Sequence, residues 1–159
     1  MTVTVGISEM YVSNNPDDLL VTYSLGSCVG LSVYDPKVRV GGLIHCMLPL
    51  SKIDPAKAAA KPQMFVDKGL PALLQAVYDL GATRRNLIAK VAGAAKLLDE
   101  RGAFRIGERN YTVLRKLLWK NDILIAAEDV GGSIARTMYL HMDTGCTTIK
   151  VAGQERELV

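Results

Sequence analysis

No stretch of Lys and Arg interleaved with aromatic residues occurs anywhere in the chain, and the net charge is only +3 over 159 residues. The electrostatic footprint of a DNA or RNA binder is therefore missing. Aromatic residues are few at 6%, with one Trp and two Phe. No apolar run approaches the ~20 residues that a membrane-spanning helix requires. The segment Met1 to Met10 lacks both a basic region and an apolar core of the secretory type, so a cytoplasmic location is expected. There are only three cysteines, Cys28, Cys46 and Cys146, an odd number spread over the chain. That excludes the dense, even framework of a small disulfide-stapled domain, and all three are expected to be thiols. Neither a CxxC nor an HxxxH spacing is present, which speaks against a structural or catalytic zinc. With no internal repeat, low-complexity tract or linker, residues 1–159 are expected to form one domain.

What is present is the balance of an ordinary globular protein, 49% apolar and 22% charged. The first third predicts strands. Val3 to Ser8 is short and alternating, and 14–18 (Asn-Asn-Pro-Asp-Asp) is dense in turn residues. Leu19 to Leu25 is apolar and β-branched until Gly26-Ser27 breaks it. Val29 to Tyr34 alternates, Asp35-Pro36 turns the chain, and Val38 to Leu48 returns as a strand. The middle predicts helices. Asp54 caps a helix with Pro55 in its first turn, and Pro62 ends it. Leu70, Leu73, Leu74, Val77 and Leu80 follow at helical spacing up to Gly81, with Pro71 arguing against one uninterrupted helix. Leu87 to Val91 predicts a strand, Tyr111 to Lys120 a helix and Ile123 to Ala127 a buried strand. Thr137 to Met142 and Thr147 to Val151 predict a hairpin joined through Asp143-Thr144-Gly145. Strands at both ends and helices in the centre give an α+β class.

The residues with chemistry to offer are Cys28 and His45. A type I turn begun by Asp35-Pro36 pairs Asp35 with Val38, and the same register sets Cys28 directly opposite His45. Facing side chains in such a pair have Cβ atoms ~4.5–5.5 Å apart, within reach of a thiol–imidazole contact. A longer loop is the alternative, and a slip of one residue would put Cys46 opposite Cys28 and turn His45 to the other face. A neighbouring imidazole favours the reactive thiolate. The Gly26-Ser27 turn just before Cys28 could aim the Ser27 and Cys28 N–H groups at a developing oxyanion. Cys146 has no evident base, and His141 reads as an ordinary strand residue.

The segment Thr22-Tyr23-Ser24-Leu25-Gly26-Ser27-Cys28-Val29, followed by Gly41-Gly42-Leu43-Ile44-His45-Cys46-Met47-Leu48-Pro49, closely resembles the chemoreceptor glutamine deamidase family, CheD. The resemblance continues through Ala89 to Ala95, Ile106 to Asn110, Glu128 to Gly132, Arg136 and Thr144-Gly145. It implies packed β-sheets flanked by helices, similar to bacterial toxin-type cysteine deamidases. It also implies a Cys-His-Thr site carried by Cys28, His45 and Thr22, with Gly26 and Ser27 shaping it. The implied reaction is hydrolysis of receptor glutamine side chains to glutamate through a Cys thioester, without a cofactor. The implied partners are chemoreceptor helices as substrate and, in some members, a CheC-type phosphatase. The runner-up reading is a non-catalytic regulator of that phosphatase. One departure stands out: the family usually has Gly-Gly-Ala where this chain has Gly93-Ala94-Ala95.

Overall fold

The computed structural model describes residues 1–96 and 105–159. In chain order the strands are β1 (Thr2–Thr4), β2 (Glu9–Ser13), β3 (Leu19–Leu25), β4 (Val29–Asp35), β5 (Val40–Cys46), β6 (Ile88–Gly93), β7 (Ile125–Val130), β8 (Arg136–His141), β9 (Thr147–Val151) and β10 (Gln154–Glu157). Helices α1 (Pro55–Ala60) and α2 (Val66–Asp79) lie between β5 and β6, and α3 (Ile106–Lys120) lies between β6 and β7. The strands form two mixed five-stranded sheets. Sheet A has the order β1-β3-β8-β9-β10 and sheet B the order β2-β5-β4-β6-β7. The class is α+β, as expected.

Three layers result: sheet A, sheet B, then the helices. Leu20, Leu25, Met138 and Leu140 of sheet A meet Tyr34, Leu43 and Ala92 of sheet B in one core. The other face of sheet B, with Val29, Leu31, Val33, Ile44 and Cys46, packs on Leu70, Leu73, Leu114 and Leu118 of the helices. Every residue of β4 and β5 is consequently buried. Fully burying each large apolar side chain contributes about 1.5–3 kcal/mol relative to exposure, so these two central strands anchor the molecule. Among the described residues no helix is long and apolar enough to cross a membrane.

Local chemistry explains the helix boundaries. The Asp54 side chain accepts the Lys57 N–H, capping α1 ahead of Pro55, and Pro62 lies just beyond its end. Helix α2 runs through Pro71 without interruption, contrary to expectation. Its buried stripe, Val66, Leu70, Leu73, Leu74 and Val77, holds it against β5 and β2 on both sides of the proline. Helix α3 begins five residues earlier than the apolar period alone indicates, at Ile106 rather than Tyr111.

The β4–β5 register differs from the expected one. Asp35 pairs with Val40, not Val38, and His45 pairs with Gly30, not Cys28. The loop holds four residues, Pro36 to Arg39, rather than two. The Asp35 carbonyl accepts the Arg39 N–H at 2.8 Å, and Arg39 sits in the left-handed region at φ +57. The Asp35 carboxylate accepts the Lys37 N–H on one oxygen and the Thr83 N–H on the other. Cys46 is not opposite Cys28 either, since its partner is Val29. The shift is by two residues, an even number, so every side chain keeps its face.

Candidate active site

The two sheets are joined where the chain leaves β3 and enters β4. Strand β3 ends in an irregularity between Thr22 and Leu25, with Ser24 left-handed at φ +60. The Gly26 N–H returns to the Ser24 carbonyl at 2.9 Å, and Gly26-Ser27-Cys28 carries the chain across to sheet B. This places Cys28 at the mouth of the inter-sheet layer, packed partly against that core. His45 lies on the same face of β5 as Leu43, and so also points between the sheets. His45 stands opposite Gly30 rather than Cys28, and Cys28, two residues before Gly30, borders the same inter-sheet core.

The third residue, Thr22, reaches His45 from the opposite sheet. Thr22 Oγ1 lies 2.6 Å from His45 Nδ1 and 2.7 Å from the Val5 carbonyl oxygen. The hydroxyl has one proton, and a carbonyl can only accept. That proton therefore goes to Val5, and Thr22 accepts the N–H of Nδ1. The neutral imidazole is left with its lone pair on Nε2. That atom is buried and has no hydrogen-bond partner among the described residues. Burial lowers the His45 pKa to about 4, so the ring is neutral near pH 7.

The Cys28 thiol is pushed above its ordinary pKa by burial, against a smaller lowering by its own backbone N–H. The resting pair is thus thiol and neutral imidazole, and the thiolate-favouring effect expected of the histidine is not seen. Cys46 faces away, towards α2, where its Sγ would lie 3.3 Å from a Cβ on Gly69. Its thiol is raised by burial, then by the nearby Cys28 and Asp67. Cys146 belongs to the β8–β9 turn, whose Gly145 packs on the ring of Tyr34, near the far end of β4 from Cys28. His141 contacts Thr148 Oγ1 at 3.0 Å and Glu155 at 3.5 Å, away from the site. No group of three or more His, Cys, Asp or Glu residues that could hold a metal ion forms among the described residues.

The turn bearing Cys28 is fixed through its carbonyls. Gly26 O accepts the Ala95 N–H and Cys28 O the Ala94 N–H, each at 2.8 Å. Ser27 O accepts Asn110 Nδ2 at 2.9 Å. The Ser27 N–H has no backbone acceptor among the described residues, and the Cys28 N–H favours the ionised form of its own thiol. Gly93 sits directly behind the cysteine. It adopts φ +101, and a Cβ there would come within 2.5 Å of the Cys28 carbonyl oxygen, so only glycine fits. Gly93 O is in turn held by the Gly131 N–H at 3.0 Å and by buried Arg136 at 3.2 Å. Arg136 also pairs with Asp129, which Arg156 contacts from the other side. At the departure from the family pattern, Ala94 takes a left-handed φ of +53. Helix α3 approaches this turn closely at Gly107, where a Cβ would meet Ala95 O at 2.6 Å.

The family model described as CheD chemotactic sensory transduction matches residues 47–151. The chain is 50% identical over 151 residues to the "Probable chemoreceptor glutamine deamidase CheD 1" of Syntrophus aciditrophicus (strain SB), covering 95% of this chain and 94% of that protein. This chain belongs to the CheD family. The "Probable chemoreceptor glutamine deamidase CheD" of Solibacter usitatus (strain Ellin6076) is 48% identical over 157 residues, covering 99% of this chain and 93% of that one. Among solved structures, the Bacillus licheniformis hypothetical protein YfiH aligns with a TM-score of 0.47 at 14% identity. The alignment covers 78% of this chain, which spans 49% of the YfiH chain.

Sequence reasoning alone assigned no role to Asn110, Gly93 or Arg136, beyond their place in CheD-like segments. Asn110 did leave a signal. It occupies the buried stripe of α3 together with Gly107, Leu114 and Leu118, the only polar side chain on that stripe. An amide at an apolar-stripe position implies a buried hydrogen-bonding task.

Proposed function

We propose that this CheD-family chain hydrolyses glutamine side chains of chemoreceptors to glutamate, with Cys28 as nucleophile and His45 as its base. The observation that carries this reading is the unpartnered Nε2 of His45. That lone pair is fixed by the Thr22 contact on Nδ1, and His45 points into the inter-sheet layer that Cys28 borders.

Cys28 Sγ gives its proton to His45 Nε2 and attacks the carboxamide carbon of the glutamine. The negative charge developing on the carboxamide oxygen is met by the Ser27 and Cys28 N–H groups, each worth about 3–4 kcal/mol in comparable sites. The C–N bond breaks as the nitrogen takes the proton from Nε2, and ammonia departs, leaving a thioester on Cys28. Water then gives a proton to Nε2 and adds to the thioester carbon. The C–S bond breaks, Sγ recovers the proton and glutamate is released. Thr22 holds the imidazole in the tautomer that each step requires. Depression of the His45 pKa keeps the ring available as a base at neutral pH. No step calls for a cofactor.

The reading is tested by incubating the protein with cytoplasmic fragments of chemoreceptors and following amide-to-acid conversion by mass spectrometry. Conversion of discrete glutamines with the peptide backbone intact supports it. Unchanged fragments, or backbone cleavage, contradict it. Cytoplasmic receptor fragments as the substrate would place the reaction in the cytoplasm. Family membership also supports a CheC-type phosphatase as a binding partner. Capture of that phosphatase by Cys28→Ala protein tests whether binding stands apart from catalysis.

A further inference from the structure

Asn110 is fully buried, and its side chain spans the two chain segments that carry the reacting groups. Nδ2 donates to Ser27 O at 2.9 Å and to Met47 O at 3.2 Å. Ser27 immediately precedes Cys28, and Met47 lies two residues beyond His45. Turning the amide over would set Oδ1 against two carbonyl oxygens, so its orientation is fixed. Oδ1 itself has no partner among the described residues. A buried unpaired acceptor costs stability, and the neighbouring stripe positions are apolar, so packing alone does not account for an amide here.

The bond has a particular place in the framework. The β4–β5 ladder ends at the Val29–Cys46 pair. Beyond it the two segments turn to different supports. Gly26 and Cys28 bond to Ala95 and Ala94, whereas Met47 and Leu48 both donate to Met64 O. Asn110 reconnects them from α3, past the last rung, at the level of the nucleophile.

We propose that Asn110 is a positioning residue for the deamidation: its two N–H bonds set the separation of the Cys28 sulfur from His45 Nε2. The proposal rests on the reading of Cys28 and His45 as nucleophile and base. Asn110 touches neither substrate nor sulfur. It acts through the carbonyls of Ser27 and Met47, and its effect falls on the chemical step rather than on substrate binding.

The test uses Asn110→Asp, which keeps the shape and removes both donors. Asn110→Leu serves as the second variant should a buried carboxylate prevent folding. Two readouts are taken: kcat and KM on a receptor fragment, and the pH profile of Cys28 alkylation by iodoacetamide, read on the Cys28 peptide by mass spectrometry. The expected result is a kcat lower by about 30-fold or more with KM within about threefold, the mark of a lost contribution to the transition state alone. Cys28 alkylation at neutral pH, where the resting thiol hands its proton to His45 as it reacts, is expected to slow to the rate of a His45→Gln protein. A kcat within about threefold of the parent overturns the proposal. So does a parental Cys28 profile in the folded variant. The alkylation profile needs no substrate. A parent protein that converts no glutamine would therefore contradict the deamidase reading while the Asn110 assignment was still decided.

Discussion

Thr22 and His45 belong to different sheets, yet their side chains meet at 2.6 Å, the Thr22 hydroxyl accepting from Nδ1 while it donates to Val5. This contact crosses the inter-sheet core and is the reason one particular nitrogen of the imidazole is free. Thr22→Val keeps the β-branched shape and removes the oxygen. It leaves two buried polar groups unpaired, the Val5 carbonyl and Nδ1, so a loss of about 1–3 kcal/mol of stability is expected in denaturant titrations. Deamidation is expected to fall by about 10- to 100-fold, because the ring can then take the wrong tautomer.

The buried imidazole should also register in the pH dependence of stability. His45 has a folded pKa of about 4 against 6.5 when unperturbed. Between those values the unfolded chain binds a proton that the folded chain does not. Stability therefore falls as the pH drops from about 6.5 towards 4, by up to about 3 kcal/mol from this group. Thermal melts of the parent and of His45→Gln across that window check the sign: the parent should lose stability more steeply than the variant.

Gly93 tests the wall behind the nucleophile. Gly93→Ala places a methyl 2.5 Å from Cys28 O at a φ of +101. Backbone strain alone costs about 1–3 kcal/mol there, and relief of the clash has to push the Cys28 turn away from Ala94. Both the melting temperature and the deamidation rate are expected to fall. An active variant with parental stability would show that the approach of these two strands is unimportant.

Three thiols allow a direct comparison. Cys46 is buried on the helix side of sheet B and Cys146 lies in the β8–β9 turn, so Cys146→Ala is expected to keep its activity within about twofold. Cys46→Ala removes a small buried side chain and is expected to cost stability, about 1 kcal/mol, with catalysis retained. Cys28→Ala is expected to abolish conversion without unfolding the protein. Assays of the three variants side by side on one receptor fragment check all three outcomes.

Much of this arrangement is legible in the residues, but unevenly. Strands β3 and β9 match their expected limits because Leu19 to Leu25 and Thr147 to Val151 are β-branched, apolar and bounded by turn residues. Strand β10, Gln154–Glu157, escapes notice because all four of its residues are polar and exposed, so it has no alternation to read. The start of α3 is hidden because Gly107, Arg109 and Asn110 interrupt the apolar period just where the site needs close approach and a buried amide. The β4–β5 loop is misjudged by two residues because Asp35-Pro36 suggests a tight turn, whereas the left-handed residue that lengthens it is Arg39, not a glycine or asparagine. The error leaves His45 on the face of β5 that looks between the sheets, because two is the period of a strand. The Thr22–His45 contact joins two sheets, and no local pattern reports on it. Only the resemblance to CheD proteins pointed to Thr22.

The account depends most directly on which nitrogen of His45 carries the proton. Nitrogen-15 NMR of the imidazoles decides this. The chain has two histidines, and a His141→Gln protein leaves only the signals of His45. The predicted spectrum at neutral pH is a neutral ring protonated on Nδ1 and bare on Nε2, with no titration until the pH approaches 4. A ring protonated on Nε2, or one that titrates near its ordinary value of 6.5, would contradict the proposal that His45 takes the proton of Cys28.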